Sequence, residues 1–346
     1  MFTARRENSS QSRRVKQPWP KGKAFKILSL DGGGIRGYYT VEFLRHCEKR
    51  FLKPNENIAD YFDLIAGTST GGLIALGLGN NIPIDQIKKF YEDDGRVIFP
   101  PYPRSLLGKI RQTFNHFLKP KLSADKLEAS LKEIFGLKLL GQSQTRLVIP
   151  SCLMPTTEIV VFKTDHHADY KNDWKTEAWK IARATSAAPT YLSGIEEDES
   201  GKVFVDGGIW ANNPIMAAVI DALTSYDISV EQIHILSIGT GNPPYRLSKK
   251  AVFGGLFSWR EVIKASMFLS TDNALAQAIL LLGPEQVLRV EPAGKAADIE
   301  LDDYDTAMIL LPDAARNAAD LNENGISQFF QVPVSRREFH YFNLVT

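Results

Sequence analysis

The chain alternates between short apolar runs and longer stretches with helical spacing. The run FKILSL (Phe25 to Leu30) ends at Asp31 and three glycines, and YYTVEFLRHCEKRFL then places Val41, Phe43, Leu44, Cys47 and Phe51 near helical spacing. That pattern predicts strand, tight turn, helix. YFDLIAG followed by GGLIALGLG repeats the arrangement, and RLVIP, EIVVFK, VFVD, HILSIG and QVLRV supply further strands between helical stretches. Two helix ends carry their own chemistry. Asn213 can cap and Pro214 suits the first position of a helix running to Leu223, and Gly136 fits the position just past a helix from Ala124 to Phe135. Strands that alternate with helices predict an α/β fold in three layers, α/β/α, around a mostly parallel central sheet. No internal repeat and no linker follows residue 24, so residues 25–346 are expected to form one domain.

Composition narrows the classes. With 346 residues, 44% of them hydrophobic and 23% charged, the chain has the makeup of an ordinary globular protein, which excludes disorder, collagen and coiled coil. The formal net charge of +1 gives no global field to recruit a nucleic acid polymer, so any attraction to anionic surfaces must be local. One local excess is residues 1–24, where Arg5, Arg6, Arg13, Arg14, Lys16, Lys21 and Lys23 face only Glu7. This segment reads as a flexible basic tail, and its polar start lacks an apolar signal region, which predicts a cytoplasmic protein. Cys47 and Cys152 stand alone, without the spacing of a zinc site or a disulfide framework. The uncharged window Leu64 to Ile84 carries five glycines with Thr68, Ser69, Thr70, Asn80 and Asn81, and reads as a buried loop and helix. Lys264, Asp272 and Asn273 interrupt the apolar stretch Ile263 to Leu282, so no membrane span is predicted.

Three glycine-rich loops carry the candidate chemistry. Gly67-Thr68-Ser69-Thr70-Gly71 is a G-x-S-x-G between a strand and a helix; such an elbow holds its serine in a strained conformation beside a helix N-terminus, which makes Ser69 the candidate nucleophile. Asp31-Gly32-Gly33-Gly34-Ile35-Arg36-Gly37 exposes bare backbone N–H groups, suited to an anion cradle or to an oxyanion hole. It also matches G-x-G-x-x-G, but Asp60 and Asp63 bracket the start of the next strand where a dinucleotide site wants an acid at its end, so that reading is set aside. Asp206-Gly207-Gly208 ends VFVD, where a strand-terminal carboxylate can approach another loop closely and serve it as a base.

Together, in this order, the three loops resemble the patatin-like phospholipase family, and Ala184-Thr185-Ser186-Ala187-Ala188-Pro189 between them looks like that family too. The match spans about residues 25–241, leaving a helical C-terminal part at about 255–346. The resemblance implies a patatin-like fold with a nucleophile elbow and a Ser-Asp dyad: Ser69 as nucleophile, Asp206 as base, and the backbone of Gly32, Gly33 and Gly34 as oxyanion hole. Asp31, Arg36, Gly37, Gly67, Gly71, Gly207 and Gly208 support the motifs. No metal and no organic cofactor is implied. The competing arrangement is an α/β-hydrolase triad, for which His234 and His340 are the candidate bases. His166 and His167, in KTDHHADY, read as a solvated turn.

Two further segments bear on substrate and partners. Pro103 to Leu122 sets Leu106, Leu107, Ile110, Phe114, Phe117 and Leu118 on one helical face and Arg104, Lys109, Arg111, Lys119 and Lys121 around it, as in an interfacial helix or a core helix with a basic outer side. The stretch Phe257 to Leu282 can line an acyl channel or cover the sheet. It resembles the C-terminal part of bacterial patatin-like effectors switched on by cyclic oligonucleotides in anti-phage defence, with the tail, Arg104 to Lys121, or Arg246, Lys249 and Lys250 as phosphate contacts. The resemblance implies a membrane phospholipid substrate, transient contact with the inner membrane surface, a cyclic oligonucleotide activator and a homo-oligomer as partners, and no nucleic acid polymer.

Overall fold

A computed structural model describes residues 14–100, 124–188, 191–196, 201–241 and 259–342. The strands are β1 (Phe25–Leu30), β2 (Leu64–Gly67), β3 (Arg146–Met154), β4 (Glu158–Lys163), β5 (Ile195–Glu196), β6 (Val203–Asp206), β7 (Ile233–Ile238) and β8 (Val287–Val290). The helices that matter here are α1 (Gly37–Phe51), α2 (Thr70–Gly79), α3 (Ala124–Phe135), α4 (Ala178–Thr185), α5 (Gly208–Ala211), α6 (Ile215–Ser225), α7 (Trp259–Leu282) and α8 (Tyr304–Leu321).

One sheet runs in the order β5-β6-β3-β2-β1-β7-β8, with β4 also paired to β3. The stretch β3-β2-β1-β7-β8 is parallel throughout, and β4, β5 and β6 add antiparallel pairings at the β3 end. The period-2 alternation of strand side chains divides β1 between two cores. Phe25 and Ile27 join Val219 of α6 and Ala278 of α7 on one face. Leu28 and Leu30 join Val41 of α1, Leu73 of α2 and Leu311 of α8 on the other. This is the three-layer architecture that the alternating pattern predicts. Every long strand expected from the sequence is present; only the two-residue β5 is too short to leave an apolar run. The local signals hold as well: Asn213 Oδ1 accepts the Ile215 N–H at 3.0 Å at the start of α6, and Gly136, at φ 53°, closes α3. All ten residues of α2 are buried, as an uncharged Gly-rich helix requires.

Two expectations are corrected. Residues 14–24 are anchored. The Gln17 N–H donates to Ser225 O at 2.8 Å, the Asp227 N–H donates to Gln17 O at 2.8 Å, and Trp19 packs on Phe25 and Tyr226. Trp19, the backbone bridge at Gln17 and the Gln17 side chain on His166 O hold this segment through partners far along the chain. Residues 1–13 lie outside the described residues. His166 and His167 are buried: His166 Nε2 meets Asp221 Oδ2 at 2.8 Å and Nδ1 meets Thr164 Oγ1 at 2.7 Å, while His167 Nε2 faces Val15 O at 3.0 Å. Partners distant in sequence satisfy them, which no local pattern reveals. The stretch with Lys264, Asp272 and Asn273 is one continuous helix, α7, and its segment Ala265–Leu282, with mean hydropathy 1.3, is long and apolar enough to cross a membrane by length and composition alone. Here Ala278 and Leu282 of that segment pack into the core under α6. The segment Pro103 to Leu122 and the cations Arg246, Lys249 and Lys250 lie outside the described residues.

Candidate active site

The site forms where loops leave the C-terminal ends of the parallel strands. Ser69 sits between β2 and α2 at φ 54° and ψ −124°, a conformation that non-glycine residues rarely adopt. The turn closes only because its flanks are bare: a Cβ on Gly67 would lie 2.1 Å from Gly71 O, and one on Gly71 would lie 2.3 Å from Leu30 O. Three hydrogen bonds fix the elbow. The Thr68 N–H donates to Leu30 O at 3.2 Å, the Thr68 hydroxyl to Ala211 O at 2.6 Å, and the Ser69 N–H to Thr185 Oγ1 at 2.9 Å.

Asp206 ends β6 opposite Ser151 of β3. Its Oδ1 accepts the Gly208 N–H at 2.6 Å, while Oδ2 is buried outside any hydrogen bond of ordinary geometry. Burial pushes this carboxyl up to about 7, against the opposing pull of the Gly208 N–H and the neighbouring Ser69 hydroxyl. Gly207 lets β6 turn against Pro150, whose carbonyl oxygen would lie 2.3 Å from a Cβ there.

The glycine loop after β1 completes the site. Gly34 has φ 57°, and a Cβ on it would meet Leu301 O at 2.4 Å, so the loop lies flat against the strap before α8. The N–H of Gly32 is already committed to Asn212 O at 3.0 Å, which withdraws Gly32 from the three glycines expected to hold an oxyanion. Gly33 and Gly34 line one cavity of about 60 Å³ with Ser69 and Asp206, under a wall that includes Leu73, Phe90, Phe99, Leu127, Leu192 and Met267. The supporting residues act from behind. Asp31 takes a two-point contact from Arg289 of β8, at 3.0 and 2.5 Å, Arg36 donates to Gly241 O at 2.8 Å, and Gly37 passes so close to Thr70 that a Cβ would be 2.1 Å from its Oγ1. Next to this cavity lies a second one of about 120 Å³, lined by Asp31, Arg36, Asn212, Thr240 and Thr271 and sharing Met267 and Leu301 as its partition.

The structure brings Ser69, Asp206, Gly33 and Gly34, singled out from the sequence, to one cavity. The Arg289 partner of Asp31, the Met267 wall on α7 and the contacts of Thr185 and Asn212 had no local signal, because each joins distant segments. The candidate histidines are elsewhere. His234 lies in β7 in register with Lys26, the His340 N–H donates to Asp165 O at 3.2 Å, and among the described residues no histidine lines the Ser69 cavity. Cys152 is no rival nucleophile, since burial and the Asp206 charge push its thiol up to about 11. Among the described residues no group of three or more His, Cys, Asp or Glu gathers as a metal site would require.

The chain is 33% identical over 232 residues to a "cGAMP-activated phospholipase" of Escherichia coli, covering 64% of each chain. It is 32% identical to one of Pseudomonas aeruginosa, covering 74% of this chain and 75% of the other, and 29% identical to one of Vibrio cholerae, covering 90% and 96%. The solved structure of VipD from Legionella pneumophila aligns over 89% of this chain and 72% of that one, at 13% identity and a TM-score of 0.40. The model described as "Patatin-like phospholipase" matches residues 28–219, a span of more than half the chain that takes in the glycine loop, the Ser69 elbow and Asp206 alike, and the chain therefore belongs to the patatin-like phospholipase family.

Proposed function

We propose that the protein is a serine acyl hydrolase that cleaves the ester bonds of membrane glycerophospholipids through a Ser69–Asp206 dyad. One observation carries this reading: a strained serine and a buried carboxylate that feels the Ser69 hydroxyl line the same largely apolar cavity. Asp206 takes the proton as Ser69 Oγ attacks the acyl carbonyl, and the N–H groups of Gly33 and Gly34 hold the developing oxyanion. The proton passes to the departing lysolipid alcohol. Asp206 then takes a proton from water as it attacks the acyl-Ser69 ester, and returns that proton to Ser69 Oγ as the fatty acid leaves. Every step is served by side chains and backbone of this chain. A base whose carboxyl titrates near 7 matches neutral pH far better than an ordinary aspartate at ~3.9.

The same reading includes regulation by a cyclic oligonucleotide at the inner face of a membrane. Its support is the activity named for three relatives. An activator of this kind acts by binding the active conformation more tightly than the inactive one. Fatty acid release from vesicles of phosphatidylethanolamine and phosphatidylglycerol, with and without cGAMP, tests both parts. Release that rises with cGAMP, and labelling of Ser69 by a fluorophosphonate, are expected. Release indifferent to the nucleotide removes the regulatory part; neither release nor labelling under any condition removes the whole.

The dyad also predicts what histidine does. His234→Gln and His340→Gln are each expected to keep fatty acid release within about tenfold of the wild type, because general acid–base groups contribute ~10²- to 10⁴-fold and neither imidazole reaches the cavity. A loss at either comparable to that of Ser69→Ala would establish a triad.

A further inference from the structure

The Ser69 N–H belongs to a residue at φ 54° and ψ −124° that stands just before α2. It points at α4 and ends on Thr185 Oγ1 at 2.9 Å. The same hydroxyl donates to Pro150 O, in the middle of β3, at 2.6 Å. Thr185 is wholly buried and is the last residue of α4. One hydroxyl therefore accepts from the nucleophile's own amide and donates to the strand whose next residue, Ser151, stands opposite Asp206. Its methyl group faces the start of α2, where a Cβ on Gly72 would be 2.8 Å from Thr185 Cγ2.

From this arrangement we infer that Thr185 is a positioning residue for the reaction, a hydroxyl clamp that holds the Ser69 backbone in its strained conformation and ties it to β3, the strand paired with the one that carries Asp206. The inference rests on the reading of Ser69 and Asp206 as the dyad. The clamp works because a strained backbone persists only where its surroundings over-determine it. A threonine meets both demands at once: it can accept and donate simultaneously, and its branched carbon restricts the hydroxyl's rotamer. Valine has the same shape and can do neither. Serine can do both without the methyl, and cysteine does both weakly. Misplacing a catalytic group by about 1 Å costs on the order of 10²-fold. The acyl chain's binding wall is made by other residues, so substrate affinity is unaffected.

The test is a graded series, Thr185→Ser, Thr185→Cys and Thr185→Val, with active protein counted by fluorophosphonate titration so that kcat refers to folded sites only. Serine is expected to stay within about threefold of the wild type. Cysteine should be intermediate, and valine should lose about 10²-fold in kcat with KM within about twofold. Wild-type kcat in the valine variant overturns the clamp, as does a serine variant as impaired as valine, which would place the effect in the methyl packing. If valine yields no folded protein, the comparison of cysteine with serine decides, and equal kcat in the two overturns the clamp. Failure of the dyad shows separately, as wild-type protein whose Ser69 is not labelled.

Discussion

Ser69→Ala is expected to lower fatty acid release by on the order of 10⁶, the scale of loss when the nucleophile of a covalent serine hydrolase is removed. The size follows from the mechanism: without Oγ no acyl-enzyme forms, and what remains is water attacking an ester held beside the oxyanion donors. The fold should survive. The Ser69 amide keeps its bond to Thr185, the Thr68 hydroxyl keeps Ala211, and alanine at φ 54° carries about the same backbone strain as serine. Only one oxygen is lost from a cavity wall. A circular dichroism melt within a few degrees of the wild type, with release at background, is the expected pair of results. Turnover near wild type in the alanine variant ends the serine-hydrolase reading, and an unfolded variant would mean that the hydroxyl supports the elbow itself.

How much of this was legible in the sequence depends on the range of each contact. The parallel core was legible because each buried strand is a continuous apolar run, and the three loops because glycines mark places where backbone must pass close to backbone. Gly71 against Leu30 O is such a place. The roles proposed for the loops rest on their joint pattern and the family resemblance, since Asp206 alone also reads as a turn aspartate. The anchoring of residues 14–24, the burial of His166 against Asp221 and the pairing of Asp31 with Arg289 left no trace in local pattern, because their partners lie far along the chain. Thr185 belongs to the same class: the run ATSAAP is visible, but that its threonine meets Ser69 is a property of the fold alone. Gly32 shows the reverse case, a correct motif residue whose N–H the fold spends on Asn212 O.

Asp206→Asn is expected to fall within about tenfold of the Ser69→Ala loss, and the double variant should lose little more than either alone, because members of one catalytic unit are strongly non-additive. The substitution is mild in shape. Asparagine can keep an oxygen toward the Gly208 N–H and present its amide where Oδ2 stood, so folding should be retained. The pH dependence separates base chemistry from simple damage. Asp206 must be ionised to accept the Ser69 proton and its carboxyl titrates at about 7, so kcat/KM of the wild type should rise about tenfold per unit up to that value and level off above it. Stability should run the other way. A carboxyl raised from 3.8 in the unfolded chain to about 7 in the fold gives stability that is full below the unfolded value and is lost as pH rises through the folded one. At pH 8 the wild type carries an ionised, buried Asp206, and Asp206→Asn should melt higher; near pH 4 the two should converge. A variant less stable than the wild type at pH 8 would mean that the ionised carboxylate is well satisfied in the fold, and that the burial which is to make it a base at neutral pH is not there.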